Sequence, residues 1–257
     1  MRKKVNVNVN AKESKCSFNK PEVKFLGHIV GRNGLKVDPA KCEVVRDWPI
    51  PKDATQVRQF IGLTNYFRKF IKDYSSIAAP LMDLTRKDTD FAASWTDIHE
   101  NAFNGLKEAM TTAPVLMIPD CNKPFELISD ASLLGTGAVL LQDGHVVAYS
   151  SKKYFPAEKN YTTTEQELLG VVNALGEWRC YFGASDLKVV TDHNPLTYFE
   201  TQKVLSRRLA RWQEFLSQFD YEWEYRQGRN NMADPISRNP RLALFRVLAT
   251  MTTRRSS

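Results

Sequence analysis

Hydrophobic and polar positions change period several times along the chain, and each change predicts an element. "VNVNVN", residues 5–10, alternates with a period of two and predicts a short strand. "VKFLGHIVGRNGLKV", residues 23–37, predicts two strand halves joined at Asn33-Gly34. These opening strands have no evident partners, so the start of the chain reads as incomplete. Next, Val57, Phe60, Ile61, Thr64, Phe67, Ile71 and Tyr74 approximate one helical face, with Arg58, Arg68, Lys69 and Lys72 mostly elsewhere. One amphipathic, partly basic helix is expected from Thr55 to Tyr74. A second is expected over "TDIHENAFNGLKEAM", entered from Thr96 or Asp97. The proline-punctuated "TTAPVLMIPDCNKP" that follows places a domain boundary near Pro119 to Pro124.

Beyond it, Phe125 to Asp130, Gly137 to Gln142 and "HVVAYSS" predict three consecutive strands, the last two joined by an Asp143-Gly144 turn. "TTTEQELLGVVNALGEWRCYFG" predicts a helix with a Thr162/Glu165 capping box, an apolar stripe through Leu168, Val171, Val172, Leu175 and Trp178, and a stop at Gly183. A strand over "LKVVTDH", a basic helix over "SRRLARWQEFLSQF", a strand over "YEWEYR" and a short helix after "NNMADP" complete the order β-β-β-α-β-α-β-α. The rest, 239–257, reads as a weakly ordered tail.

With 257 residues, 42% of them hydrophobic, the chain has material for one large domain or two small ones. The formal charge of +7 opens the question of a polyanionic partner. Four cysteines without a CxxC pair argue against zinc and a disulfide framework, and are expected as small core hydrophobes in a reducing compartment. The start has basic residues but no apolar signal region, and no stretch is long and apolar enough to span a bilayer. The expected location is therefore intracellular.

Two of the predicted strands end in acids, Asp130 and Asp192. In this order the first and fourth strands of the second half lie side by side as the parallel centre of a mixed sheet, crossed over by the helix between them. Their carboxyl ends are where ligand sites gather in such sheets. Glu165 or Glu167, in the first turn of that helix, offers a third carboxylate, and Asp234 a fourth. Taken singly, each has an ordinary explanation as a turn, capping or helix-terminus acid. Together they would repel unless a cation compensated them, and hard carboxylate ligands fit Mg²⁺, with Mn²⁺ as the alternative. A pair of such ions implies metal-dependent phosphodiester hydrolysis.

"SDASLLGTGAVLLQ", "YTTTEQELLGVVNAL", "VVTDHNPLTYF" and "GRNNMADPISR" resemble, in order, the ribonuclease H domain of gypsy-type LTR retrotransposon reverse transcriptases. The segment from Lys15 to Leu81 resembles the end of the same enzyme's palm and its thumb and connecting region. The resemblance covers about Ser14 to Arg238. It implies an α/β, ribonuclease H-like fold with a mixed five-stranded sheet flanked by helices, preceded by a small mainly helical region with a short β opening. The implied layout is an incomplete palm end over 1–47, a thumb and connection-like region over 48–118 and the ribonuclease H-like domain over 119–238. The family pattern of Glu followed by two aliphatics selects Glu167 over Glu165. Asp130, Glu167, Asp192 and Asp234 are then the implied catalytic and metal-binding carboxylates, holding two Mg²⁺ ions.

The implied activity is cleavage of RNA in an RNA/DNA hybrid. Hybrid phosphates would be tracked by Arg207, Arg208 and Arg211 beside Trp212, and by Lys69 and Lys72 on the thumb-like helix. The Tyr-x-Asp-Asp motif of the polymerase occurs nowhere in these residues, so polymerisation is not expected, and the chain reads as a fragment or decayed reading frame. The missing polymerase and integrase parts of a Pol polyprotein are its expected partners. Arg226 stands near the place where many ribonucleases H carry a mobile His. Two other readings differ in kind. A silent remnant would bind nucleic acid or a partner polymerase chain without cutting, and an integrase-like strand transferase is opposed by the order of the acids.

Overall fold

The computed structural model describes residues 20–86, 91–182, 185–201 and 206–226. The strand expected over 5–10, the helix expected after "NNMADP", the tail and Asp234 lie outside these residues.

The first strands are β1 (Glu22–Phe25), β2 (His28–Gly31) and β3 (Gly34–Val37), joined as an antiparallel sheet. The expected Asn-Gly reversal is one of two. Leu26 and Gly27, at φ +48° and +77°, turn the chain once more, so the stretch read as one strand half is itself a hairpin. The strands partner one another, and Leu35 exchanges both backbone hydrogen bonds with Leu116, at 2.7 and 2.8 Å.

Helix α1 (Pro39–Arg46) is entered through Asp38, whose carboxylate accepts from the Ala40 N–H at 3.1 Å, with Pro39 at the first helical position. Asp53 caps α2 (Ala54–Tyr66) in the same way, accepting from Gln56 N–H at 2.8 Å. The single helix expected to Tyr74 is not formed. Helix α2 ends at Tyr66, a 3-10 turn occupies Arg68–Phe70, and α3 (Tyr74–Asp83) begins afresh after Asp73. Asp73 has a left-handed φ of +54°, which no right-handed helix continues. Apolar spacing missed the break because the 3-10 turn keeps residues three apart on one side. Phe67, Phe70, Ile71 and Tyr74 all enter the core with Val57 and Phe60. After the short α4 (Phe91–Ser94), α5 (Asp97–Thr111) closes that core, its Phe103 ring 4.5 Å from that of Phe60.

The second half contains β4 (Phe125–Ala131), β5 (Gly135–Gln142) and β6 (His145–Lys153), then α6 (Thr163–Trp178), β7 (Leu187–Thr191), α7 (Arg207–Leu216) and β8 (Tyr221–Tyr225). The sheet order is β6-β5-β4-β7-β8, with β7 parallel to β4 and β8, and the other pairs antiparallel. This is the expected mixed five-stranded sheet with parallel central strands. The β5–β6 hairpin turns at Asp143-Gly144, both left-handed, at φ +50° and +76°, as its two-residue loop requires. Helix α6 carries the capping box: Thr162 Oγ1 accepts from the Glu165 N–H at 3.2 Å, and Glu165 Oε2 accepts from the Thr162 N–H at 3.0 Å. It ends at Trp178, five residues before the expected Gly183. Leu168, Val171, Ala174 and Leu175 bury its inner face against Phe125, Leu127, Leu140 and Val189 of the sheet.

The helical region docks on the β6 edge, covering what would otherwise be an unpaired strand. Ser75 N–H donates to Ser151 Oγ at 2.8 Å, Lys153 pairs with Asp83 at 3.1 Å, and Glu177 of α6 receives both Arg68 at 2.7 Å and Ser150 Oγ at 2.6 Å. Among the described residues only Cys42 packs against a core, as expected, while Cys121 and Cys180 do not. Cys121 and Cys180 are exposed, while Cys42 is half-buried with its thiol 3.7 Å from Met110 O; all three are free thiols. Cys16 lies outside them. No described helix is long and apolar enough to cross a membrane.

Candidate metal centre

The parallel pairing of β4 and β7 runs from Phe125 opposite Leu187 to Ile128 opposite Val190. Both chains then continue two residues to an acid, so Asp130 and Asp192 emerge side by side at the carboxyl ends of adjacent strands. Glu167 reaches the same place from α6. Gly170, one turn further on, lets α6 lie close on β4: a Cβ there would stand 2.5 Å from Ser129 Oγ and 3.4 Å from Thr136 Cβ. Glu167 is thereby held over the strand end, one turn up the same helix face. Gly170→Val, which adds a Cβ and two methyls against Ser129 and Thr136, should cost about 1–3 kcal/mol of stability in chemical denaturation. Unchanged stability would show that α6 does not depend on this close approach.

The carboxylate oxygens of Asp130, Glu167 and Asp192 all lie within 4.8 Å of one another. Glu167 is buried, with 7% of its surface exposed, whereas Asp130 and Asp192 open to solvent. Burial pushes the Glu167 carboxyl up to about 8, with the charges of Asp130 and Asp192 adding to the shift. Asp130 is also raised: the protein beneath its carboxylate desolvates it, Asp192 and then Asp73 repel it, and the Ala131 N–H and Lys72 offset this only in part. Tyr154, just past β6, has a buried hydroxyl with no hydrogen-bond partner among the described residues. Burial, then Glu167 and Asp130, push it up to about 12. His193, beside Asp192, is held by Thr164 of α6, its Nε2 2.8 Å from Thr164 Oγ1.

Hard oxygen donors from three elements, mutually repelling and beside an unsatisfied buried hydroxyl, fit a divalent cation with bound water. The donor set contains no cysteine or histidine within the cluster. Periodicity left Glu165 and Glu167 equivalent, and the family resemblance selected Glu167. In the structure Glu165 is spent on the capping box and on Arg208, at 2.8 Å, while Glu167 joins the two aspartates.

The basic residues divide. Arg207 and Arg211 are exposed on α7. Arg208 is tied to Glu165 and lies 3.7 Å from the Tyr161 ring centroid, and Trp212 packs partly buried against the core. Lys69 stands 5.4 Å from the Phe70 ring, its pKa lowered by burial. Lys72 sits close enough to the acids to influence Asp130. Arg226 donates to Glu126 at 2.8 Å and to Glu224 at 2.7 Å. Glu126 lies four residues before Asp130 on β4, so the guanidinium is directed back along the sheet. Asp73, Tyr154 and the Gly170 contact were missed by sequence reasoning. Each acts through a neighbour distant in the chain.

Residues 120–219 match the family described as the RNase H-like domain found in reverse transcriptase. The chain is 37% identical over 237 residues to the retrovirus-related Pol polyprotein from transposon 297 of Drosophila melanogaster, covering 92% of this chain and 22% of that protein. It is 33% identical over 246 residues to the corresponding polyprotein from transposon gypsy of the same organism, covering 91% and 24%. The chain thus spans about a quarter or less of these relatives. Its fold is similar to that of the foamy viral protease-reverse transcriptase solved in complex with RNA/DNA hybrid, with a TM-score of 0.68 at 21% identity, over 81% of this chain and 30% of that one.

Proposed function

Residues 120–219 are an RNase H-like domain of a retrotransposon Pol polyprotein of gypsy type, and from that premise we propose that this chain cleaves the RNA strand of RNA/DNA hybrids by metal-dependent hydrolysis. The observation that carries the reading is the convergence of Asp130, Glu167 and Asp192 within 4.8 Å at the carboxyl end of the parallel strand pair. These three, with Asp234, would hold the cations. Divalent ions bound there, Mg²⁺ by the hardness of the donors, supply activation of a water and stabilisation of the leaving oxygen. The carboxylates bind and orient. Glu167, whose carboxyl retains its proton to about pH 8 in the cation-free protein, must give it up to serve as a ligand. Attack of water on the scissile phosphate in line forms one P–O bond and breaks the bond to the 3′ oxygen, leaving a 3′-hydroxyl and a 5′-phosphate.

The exposed Arg207 and Arg211 are suited to phosphates, and recognition follows hybrid shape and 2′-hydroxyls. The same reading assigns 119–238 to the hydrolase, 48–118 to a thumb and connection-like support and 1–47 to the end of a palm, acting with the other parts of the polyprotein in cytoplasm or particle. The test is incubation of purified full chain and Mg²⁺ with a labelled RNA/DNA hybrid, single-stranded RNA and duplex DNA. Cleavage of the hybrid alone is expected. A folded protein that binds hybrid without cutting it would replace this reading with that of a silent remnant.

A further inference from the structure

Asp73 occupies the N-cap position of α3, yet its side chain makes no capping hydrogen bond. Its carboxylate is directed to the sheet instead: a Cβ on Gly137 would stand 2.9 Å from Asp73 Oδ1. Gly137 pairs with Asp130 in the antiparallel β4–β5 ladder. Directly paired residues project to the same face, so the empty side-chain place at Gly137 is filled by a carboxylate lying next to Asp130. The turn that carries Asp73 is anchored on both sides. Arg68 binds Glu177, Ser75 binds Ser151, and Asp83 binds Lys153. Helical region and sheet therefore present this acid to the cluster together, and its charge reaches Asp130.

We propose that Asp73 is a positioning residue of the cation site: seated over Gly137 beside Asp130, its carboxylate draws the divalent cation to the three acids, so that the helical region completes the centre. The inference rests on the cation site proposed above. A fourth acid whose charge reaches the cluster, itself partly desolvated, would attract a divalent ion without needing to touch it. The arrangement makes cation affinity depend on docking of the helical region, although all three clustered acids belong to the sheet and α6. Gly137 is the sheet's contribution, since a side chain there would displace the carboxylate.

The decisive comparison is Mg²⁺ binding to the full chain by calorimetry without nucleic acid, for wild type, Asp73→Asn and Asp130→Asn, alongside the Mg²⁺ dependence of hybrid cleavage. Asp73→Asn is close to isosteric and touches no cap, so it should fold as wild type does, with a melting temperature in chelator no lower than that of wild type. Its Mg²⁺ affinity should fall about threefold to tenfold. Its half-saturating Mg²⁺ in cleavage should rise equally, with the rate at saturation unchanged. Asp73→Glu should recover part of the affinity. Unchanged affinity in Asp73→Asn, or lost cleavage at saturating Mg²⁺ with unchanged affinity, would overturn the inference. Wild type that binds Mg²⁺ but cleaves nothing would overturn the proposed activity alone, leaving Asp73 judged on affinity. Wild type that binds no Mg²⁺ would overturn both.

Discussion

Asp130→Asn should lower Mg²⁺-dependent cleavage of an RNA/DNA hybrid by about a thousandfold and, in chelator, raise the melting temperature. A thousandfold corresponds to about 4 kcal/mol of transition-state stabilisation, within what a correctly held cation contributes. The carboxamide keeps the shape of Asp130 and removes its charge. Of the three clustered acids, Asp130 stands at the end of the central strand β4, where Asp192, Glu167 and Asp73 all act on its charge or feel it. The opposite sign of the stability effect follows from the same geometry. Without a cation, Glu167 holds its proton below about pH 8 while Asp130 and Asp192 repel each other, so removing the Asp130 charge relieves Asp192 and lowers the penalty on Glu167. Steady-state cleavage and thermal melting on one preparation check both halves. A variant that lost activity together with stability would point instead to a damaged fold.

Glu167 should make the cation-free protein less stable as pH rises. Its carboxyl is held at about 8 in the native state, against an ordinary value of 4.5. Below about pH 4.5 both native and unfolded chains hold the proton, and Glu167 adds no pH dependence. Between 4.5 and 8 the native state binds the proton that the unfolded chain has released, so unfolding becomes easier with each step up in pH. Above 8 the penalty is complete and constant. Summed over that window the loss is on the order of a few kcal/mol, large against the total stability of a typical domain. Melting in chelator from pH 5 to 8.5 should therefore fall more steeply for wild type than for Glu167→Gln, which has no charge to bury. Mg²⁺ added at pH 8 should restore wild type and leave the variant little changed. Parallel pH profiles for the two proteins would mean that Glu167 ionises without penalty, contrary to its burial.

Much of this was legible in the chain. The strand runs of the second half, the Asp143-Gly144 turn and the Thr162 capping box are local signals, and the structure carries them where the pattern put them. Asp130 and Asp192 were also legible, because an acid closing an apolar strand has few explanations once two such strands lie side by side. Less visible was the break at Asp73, where a 3-10 turn preserved apolar spacing while the backbone left the helix.

Residue types, their periods and their turn chemistry determined the β5–β6 hairpin, the parallel pairing of β4 with β7 and the two strand-end acids, because those depend on neighbours in sequence and on the handedness of a crossover. The tethering of Arg208, the seat of Asp73 over Gly137 and the buried hydroxyl of Tyr154 were decided only by the tertiary structure. Each depends on how closely two elements distant in the chain approach. That distance is set by packing, by a missing Cβ at Gly170 or Gly137, and by ion pairs across the docked edge, none of which leaves a periodic trace in the sequence.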